Sequence, residues 1–131
     1  MNKDCPFCRI LQSDVSQRIV SENDLAIVIR DGYPVSEGHT LIIPKRHVGS
    51  FFDITDAERE ALFSYVNGQK QVLDKIYQPD AYNVGINDGE AAGQTVLHLH
   101  IHLIPRYAGD VPDPRGGVRW INPEKAKYWL D

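Results

Sequence analysis

The stretch from His98 to Leu103 constrains the fold more than any other, because imidazole and aliphatic side chains alternate along it without a break. Strict alternation is the pattern of a half-buried β-strand, in which side chains two residues apart share a face. The sequence therefore predicts a strand over residues 96–104, ended by Pro105, with aliphatic side chains toward the core and three imidazoles on the other face. Histidine is the one side chain that titrates near neutrality, so three of them on one face favour a reactive site over a chance arrangement.

Four other runs predict strands, and one segment predicts a long helix. The runs are Ile19–Glu22 and Leu25–Ile29, which form a hairpin at Asn23-Asp24, then His39–Ile43, ended by Pro44, and Tyr82–Ile86. Thr55-Asp56-Ala57-Glu58 has the form of a capping box, and apolar residues recur after it at steps of three and four as far as Ile76. Short turns between strands and one long helix indicate an α+β fold with an antiparallel sheet of about five strands.

Length and charge limit the classes of function. With 131 residues and no linker or repeat, the chain fits a single domain over residues 1–131. Its 14 basic and 18 acidic residues give a net charge of −4, which argues against general nucleic-acid binding. No apolar run approaches the roughly 20 residues that span a bilayer, and the first residues lack a signal-peptide core. We therefore expect a cytoplasmic protein without a membrane partner.

Cys5 and Cys8, the only two cysteines, are spaced C-x-x-C. A disulfide that closes so small a loop adds little stability. A thioredoxin-like redox pair needs a preceding strand, and nothing ahead of Cys5 predicts one. The pair is therefore half of a metal site or two incidental buried thiols.

The three alternating histidines have two chemical interpretations. Three neutral imidazoles can bind Zn²⁺ and leave a position for water, although Cα atoms two apart on a strand lie roughly 6.5–7 Å apart, a spacing at which three rarely share one ion. Alternatively, the central imidazole attacks phosphorus with one ring nitrogen while its neighbours orient it or bind phosphate oxygens. The loop ahead of the strand favours this second interpretation, because it can aim backbone N–H groups at an anion. Its polar and glycine residues are Asn87, Gly89, Gly93, Gln94 and Thr95.

These features resemble the histidine-triad (HIT) superfamily of nucleotide hydrolases and transferases. The family pattern His-φ-His-φ-His-φ-φ, with φ apolar, is matched by residues 98–104. Gly93-Gln94-Thr95-Val96 stands where the family has its phosphate-contacting loop, and residues 38–45 match a second stretch. The resemblance covers about residues 5–106 and leaves 107–131 as a C-terminal tail. It implies a single HIT-like domain, a homodimer whose helices and sheets meet, and a tail that helps to shape the substrate pocket.

The resemblance also implies a role for each matched residue. His100 would be the nucleophile that forms a covalent nucleotidyl-histidine, supported by His98, His102 and His39. Phosphate and ribose would be held by Asp31, Asn87, Gly93, Gln94 and Thr95. The purine would lie among Phe7, Ile10, Ile27 and Ile29, each of which taken alone is better explained by core packing. The chemistry needs no metal, but some bacterial members carry a structural zinc, whose ligands here would be Cys5, Cys8, His47 and His98.

A few positions bear on the branch of the superfamily. Thr95 and the segment Ile104–Asp110 look more like the dinucleoside polyphosphate hydrolases, which include the fragile-histidine-triad proteins, whereas Asp31 looks more like the adenosine phosphoramidases. We therefore expect AMP release from a purine nucleotide such as a diadenosine polyphosphate, with an adenosine phosphoramidate as the alternative donor. The rival hypotheses are a metallohydrolase that uses the histidines as ligands and a nucleotide-binding regulator with little turnover.

Overall fold

Five antiparallel strands form one sheet in the order β1-β2-β3-β5-β4. The computed structural model describes residues 2–12 and 16–130 of the chain. Its strands are β1 (Ile19–Glu22), β2 (Ala26–Arg30), β3 (Thr40–Pro44), β4 (Ala81–Gly85) and β5 (Ile101–Arg106). Its helices are α1 (Pro6–Gln12), α2 (Asp56–Tyr77) and α3 (Pro123–Ala126), and short 3₁₀ turns lie at Ser16–Arg18, Phe51–Asp53, Glu90–Ala92 and Gly117–Ile121. The predicted α+β class and five-stranded antiparallel sheet are confirmed.

The hairpin between β1 and β2 turns where the sequence predicts it. The side-chain oxygen of Asn23 accepts the N–H groups of Leu25 and Ala26, each at 2.9 Å, so one side chain satisfies two backbone donors of the turn. Past the far end of β2, the N–H of Asp31 donates to the carbonyl of His39 at 2.9 Å. The β2–β3 pair therefore places these two polar residues opposite each other at one end of the sheet.

The 22-residue helix α2 begins at the predicted capping box. Thr55 Oγ1 accepts the N–H of Glu58 at 3.1 Å, and Glu58 Oε1 accepts the N–H of Thr55 at 2.9 Å. The helix ends at Gln78, which takes the left-handed conformation with φ 48°. No helix within the described ranges is long and apolar enough to cross a membrane.

The two faces of the sheet carry separate apolar clusters. On the α2 side, Leu99, Ile101 and Leu103 pack with Leu62 and Leu73. On the α1 side, the cluster comprises Cys5, Phe7, Cys8, Ile10, Ile27, Ile29, Leu41 and Ile43. The aliphatic residues of the histidine stretch thus face the core under α2, as predicted, and the imidazoles lie on the α1 side of the sheet.

β5 begins and ends later than the sequence predicts. It covers Ile101–Arg106, so two of the three histidines precede it and Pro105 lies inside it. The predicted start at residue 96 is wrong because, among the described residues, no strand pairs with 96–100. β3 ends at Pro44, and the N–H of Leu99 instead donates to the carbonyl of Val48 in the following loop at 2.7 Å. The first part of the histidine stretch is extended chain at the entrance of a strand.

Candidate active site and metal centre

His98 is fully buried and turned toward the start of the chain. Its Nε2–H donates to the carbonyl oxygen of Pro44 at 2.8 Å, which leaves the lone pair on Nδ1. Burial lowers the pKa of His98, with His47 and His100 acting in the same direction. The neutral imidazole therefore presents Nδ1 as an acceptor or a metal ligand.

His100 has the opposite arrangement of its ring nitrogens. Its Nδ1–H donates to the carbonyl oxygen of His98 at 2.9 Å, so the lone pair of the neutral ring is on Nε2. Phe7 packs edge-on against the ring at a centroid distance of 5.1 Å, and His102 lies on another side at 5.1 Å. A partly exposed imidazole with a fixed Nδ1–H and a free Nε2 lone pair is the form that attacks an electrophile.

His39 and His102 form a directed hydrogen-bond chain. The N–H of Val35 donates to His39 Nδ1 at 3.1 Å, so the neutral His39 carries its proton on Nε2. That Nε2–H lies 2.9 Å from His102 Nδ1, which leaves the His102 proton on Nε2. Burial lowers the pKa of His102 to about 4, and His100 and His39 add to the shift. Near neutral pH, His102 is thus an uncharged N–H donor.

Asp31 lies near the same His39 nitrogen, Nε2, that faces His102. Its Oδ2 lies 3.4 Å from His39 Nε2, while Oδ1 accepts the N–H of Tyr33 at 2.9 Å. Burial lowers the pKa of His39, and the Asp31 charge opposes that shift. The carboxylate therefore touches a supporting histidine; contact with a ribose stays a prediction.

Cys5, Cys8, His47 and His98 bring two sulfurs and two nitrogens within 4.8 Å of one another. A tetrahedral zinc ion places two nitrogen ligands about 3.3 Å apart and a nitrogen and a sulfur about 3.6 Å apart. The two Nδ1 atoms are 3.1 Å apart, and the sulfur–nitrogen distances are 3.3, 3.3 and 3.6 Å. The donors and their spacing fit zinc.

Asp31, His39 and His102 form a second group of close metal-ligating side chains, but its protons are badly placed for an ion. Because Val35 N–H occupies His39 Nδ1, the neutral His39 has a hydrogen rather than a lone pair on the inward Nε2. A metal ligand needs that lone pair. This geometry favours a hydrogen-bond chain over the metallohydrolase hypothesis.

The predicted phosphate loop is tied to the segment after β3. Gln94 is buried, and its amide donates to the carbonyl of Gly49 at 2.9 Å while its oxygen accepts the N–H of Gly89 at 2.8 Å. Gly93 (φ 92°) and Thr95 are exposed, and Thr95 faces a small cleft next to the cysteines. The side chain of Gln94 thus supports the loop, and its contact with phosphate stays a prediction.

Two of the four predicted purine-contact residues belong to α1, and the other two belong to β2 in the same apolar cluster. Phe7 is 7% exposed, Ile10 2%, and Ile27 and Ile29 are fully buried. Because no face of these two isoleucines is accessible, the structure uses them as core, and of the four only Phe7 has ring contacts with His98 and His100. Their contact with a purine stays a prediction and needs a shift of α1.

A cavity of about 650 Å³ opens beside His39 and His102, and Asn87 also lines it. Its other walls include Trp120 of the predicted pocket-shaping tail and residues that the sequence reasoning missed, among them Ser36, Asn83, Arg106 and Val118. An asparagine in the middle of β4, where this residue type is uncommon, was the one signal for Asn83. The resemblance implies a tail that helps to shape the substrate pocket, but only the fold shows which tail residues reach the cavity.

The chain is similar in sequence to one family of known proteins, the HIT domain proteins. The model of the HIT domain matches residues 12–109. An uncharacterized HIT-like protein of Methanocaldococcus jannaschii is 36% identical over 108 residues, which cover 81% of each chain. The AP-4-A phosphorylase of Mycobacterium tuberculosis is 35% identical over 107 residues, 80% of this chain and 55% of that protein.

A solved structure matches as well. The crystal structure of a Zn-bound histidine triad family protein from Mycobacterium smegmatis has a TM-score of 0.74 and 32% identity, and the match covers 84% of each chain. Zinc in that relative agrees with the donor set formed here by two cysteines and two histidines.

Proposed function

Because this chain belongs to the HIT domain family, we propose that it is a nucleotide hydrolase or nucleotidyl transferase that works through a covalent bond between phosphorus and His100. The observation that carries the proposal is the His100 ring itself. Its Nδ1–H is fixed on the His98 carbonyl at 2.9 Å, and its Nε2 lone pair has no hydrogen-bond partner within residues 2–12 and 16–130.

In the first step, the Nε2 lone pair of His100 attacks the α-phosphorus of a purine nucleotide. A nitrogen–phosphorus bond forms, and the bond from phosphorus to the leaving group breaks. The leaving group departs with the bonding electron pair, as an anion from a phosphoanhydride or after taking a proton from water when it is an amine. The Nδ1–H bond to the His98 carbonyl stabilises the positive ring that results.

In the second step, water attacks the same phosphorus and the nitrogen–phosphorus bond breaks. The water loses its proton to solvent, His100 regains its lone pair, and AMP is released. Throughout both steps the Nε2–H of His102 serves as a neutral donor to a phosphoryl oxygen, held in that form by the proton of His39.

The rest of the substrate is assigned to the two sides of this centre. Phosphate and ribose are bound by residues of the loop and the end of β2, which are Asp31, Asn87, Gly93, Gln94 and Thr95. The purine lies toward α1, near Phe7, Ile10, Ile27 and Ile29. The donor is an adenine nucleotide such as a diadenosine polyphosphate, which agrees with the name of the mycobacterial relative. An adenosine phosphoramidate is the alternative donor.

A structural zinc ion belongs to the proposal but not to the chemistry. Cys5, Cys8, His47 and His98 would hold it, and their donor set and spacing support this assignment. Zinc supplies a cross-link there, since four protein ligands leave no position for water or substrate. It fixes His98, whose carbonyl oxygen holds His100.

The test is AMP release from a diadenosine polyphosphate and from an adenosine phosphoramidate, followed for the wild type and for His100→Ala. We expect the mutant to lose at least about a thousandfold in kcat, because it lacks the nucleophile. Rapid quenching of the wild type should trap one nucleotidyl group per active site in an acid-labile, alkali-stable bond, as a nitrogen–phosphorus bond requires. His100→Ala is the control and should trap none.

Each other outcome points elsewhere. Turnover that survives in His100→Ala and needs an added metal would support the metallohydrolase. AMP binding without turnover in either protein would support the regulator. A chelator is added to remove any catalytic metal. It is weak enough to leave a structural zinc in place, so that loss of the fold is not mistaken for loss of a catalytic metal.

A further inference from the structure

The predicted phosphate loop, residues 87–95, is made rigid by its internal hydrogen bonds. The N–H of Gln94 donates to the carbonyl oxygen of Gly89 at 3.1 Å, and the N–H of Gly93 donates to that of Glu90 at 3.0 Å. The side-chain oxygen of Gln94 accepts the N–H of Gly89 at 2.8 Å. A loop that is closed on itself in this way keeps its shape, so its position relative to the histidines depends on how it is attached to the rest of the fold.

Both ends of this loop lie at the candidate active site. The loop follows β4, whose last residue, Gly85, pairs with His102 across the sheet. It ends three residues before His98. Asn87 and Thr95, the proposed phosphate-binding residues at its two ends, are exposed. A shift of the loop would therefore move these side chains relative to the nucleophile.

Asp88 attaches the loop to the segment that follows β3. Its Oδ2 accepts the N–H of Phe51 at 2.7 Å, and the Ser50 hydroxyl lies 3.0 Å from Oδ1 and 3.1 Å from Oδ2. Hydrogen bonds to a carboxylate are about twice as strong as those between neutral groups. A second attachment is the side-chain amide of Gln94, which donates to the carbonyl oxygen of Gly49 at 2.9 Å. Three consecutive residues therefore hold the loop.

The same segment also holds the histidine stretch. At its start, the carbonyl oxygen of Pro44 accepts the Nε2–H of His98 at 2.8 Å. Further along, the carbonyl oxygen of Val48 accepts the N–H of Leu99 at 2.7 Å. The phosphate loop and the histidine stretch are therefore aligned on one segment of chain, and Asp88 is the charged group that fits the loop to it.

The negative charge of Asp88 makes its role measurable. A carboxylate in a loop that binds phosphate repels the ligand, so an effect of charge alone predicts that phosphate binds more tightly once the charge is removed. A positioning role predicts the opposite. Without the carboxylate, the N–H of Phe51 and the hydroxyl of Ser50 lose their acceptor, and the loop loses its place. The two roles therefore differ in the sign of one quantity.

We propose that Asp88 is a positioning residue for the reaction at His100, and that it acts by holding the phosphate loop on Ser50 and Phe51, in register with the histidine stretch. The inference rests on the proposed nucleotidyl transfer and deepens it, because it assigns the alignment of the phosphate to a residue with no part in the chemical steps. The expected signature is a loss of affinity for the phosphate of a nucleotide without a loss for its nucleoside part.

The test measures the dissociation constants of AMP and of adenosine by calorimetry. The ratio of the Kd for adenosine to the Kd for AMP reports the contribution of the phosphate. Asp88→Ala should lower this ratio about tenfold, and Asp88→Asn, which keeps one acceptor oxygen, about threefold. Glu90→Gln removes the same charge from an exposed residue of the same loop and is the matched control. It should leave the ratio unchanged or raise it.

Substitutions at Ser50 test the contact from the other side. Ser50→Ala removes the hydroxyl and should lower the ratio about threefold. Ser50→Thr should restore the wild-type ratio, because the extended backbone at this residue (φ −110°, ψ 138°) suits a β-branched side chain. In the Asp88→Ala protein, Ser50→Ala should have little further effect, since the two residues share one contact.

Each outcome assigns the failure to one proposal. If Asp88→Asn raises the ratio as a loss of charge predicts, or if Asp88→Ala weakens AMP and adenosine equally, the positioning role is overturned. If the ratio falls as expected but the wild type releases no AMP from either donor, the covalent mechanism is rejected and the role of Asp88 stays. A wild type that binds AMP no better than adenosine, yet releases AMP from a donor, would overturn the phosphate loop and this role with it.

Discussion

At the scale of single residues, the backbone decides which nitrogen of each histidine carries the proton. The carbonyls of Pro44 and His98 take the protons of His98 Nε2 and His100 Nδ1, and the N–H of Val35 blocks His39 Nδ1. The neutral imidazoles thus present a lone pair on Nδ1 at His98, a lone pair on Nε2 at His100 and an N–H group on Nε2 at His39.

His39→Ala should damage both catalysis and stability. The change leaves Val35 N–H without its acceptor and His102 Nδ1 without its donor, and His39 is 3% exposed. We expect kcat to fall about 10–100-fold from loss of orientation and the free energy of unfolding to fall by about 1–3 kcal/mol. His39→Gln can both accept and donate, so it should recover part of each loss. Equal effects of the two substitutions would contradict the hydrogen-bond chain.

His102 should make the protein less stable as the pH falls from about 6.5 to about 4. Burial lowers its pKa from 6.5 to about 4, so in this window the unfolded chain binds a proton that the folded protein does not. Its contribution is fully present above pH 6.5 and is lost as the pH falls to 4. In urea titrations, the loss of unfolding free energy between pH 7 and pH 5 should be smaller in His102→Gln by on the order of 1 kcal/mol. Identical losses in both proteins would refute the shift.

The sequence singled out histidines and cysteines that the fold brings together, but it did not predict their contacts. Alternation singled out the histidines, and C-x-x-C indicated either a metal half-site or two incidental buried thiols, because both are local patterns. Whether Asp31 meets a ribose or His39, and whether Gln94 meets phosphate or Gly49, depends on distances between segments far apart in the chain. No local pattern carries that information.

At the scale of elements, the observed strand ends differ most from the predicted ones where a proline was expected to end the strand. Pro105 lies inside β5, at a point where the pairing of β5 with β3 has already ended. On that side its carbonyl oxygen accepts a hydrogen bond from the Ser36 hydroxyl at 2.6 Å. Pro44 closes β3 and directs its carbonyl to His98 rather than to β2. A proline is tolerated in a strand where its missing N–H would face no neighbouring strand. Only the register of the sheet shows which side of the strand is unpaired at that residue.

The capping box of α2 should contribute more to the free energy of unfolding than the exposed charged residues next to it. Glu58 is 4% exposed and accepts the Thr55 N–H and two Arg46 donors at 2.8 and 3.0 Å. We expect Glu58→Gln to lower the free energy of unfolding by about 1–2 kcal/mol at pH 7. Asp56→Asn, at the fully exposed first position of the helix, is the control and should cost less than about 0.5 kcal/mol.

The pH dependence of that difference gives a second check. The hydrogen bond from Arg46 lowers the pKa of Glu58 from 4.5 to about 2. The contribution of the carboxylate is therefore complete above pH 4.5 and is lost as the pH falls toward 2. Chemical denaturation at several pH values should show Glu58→Gln and the wild type converging in acid; a constant gap would mean that the ion pair is not its source.

At the scale of the whole molecule, a metal would connect the first helix to the middle of the chain. Cys5 and His98 are 93 residues apart in sequence, so a cross-link there closes a long loop. We expect about one zinc per chain by elemental analysis, and Cys8→Ser should lose it and unfold at a lower temperature. Asp4→Asn, beside the site but not a ligand, should retain both. Cobalt substitution should give thiolate charge-transfer bands in the wild type; their absence would count against the site.

The predicted homodimer has candidate surfaces on α2 and β4. β4 is an edge strand with Val84 47% exposed, and Phe63 and Ile76 of α2 are 42% and 54% exposed. Ile76→Glu should shift the sedimentation mass from two chains toward one, because two buried carboxylates would face an apolar partner surface. Tyr33→Glu, at a 92% exposed site elsewhere, is the control. A wild type that sediments as one chain would refute the dimer.

The four-ligand cluster at the start of the chain also bears on how the protein should be produced. A polyhistidine purification tag placed ahead of Cys5 would supply many competing imidazoles next to two free, buried thiols. Nickel from an affinity column would meet the same donors during elution. Because such a tag binds metal wherever it is attached, a metal analysis should be made on protein from which the tag has been removed.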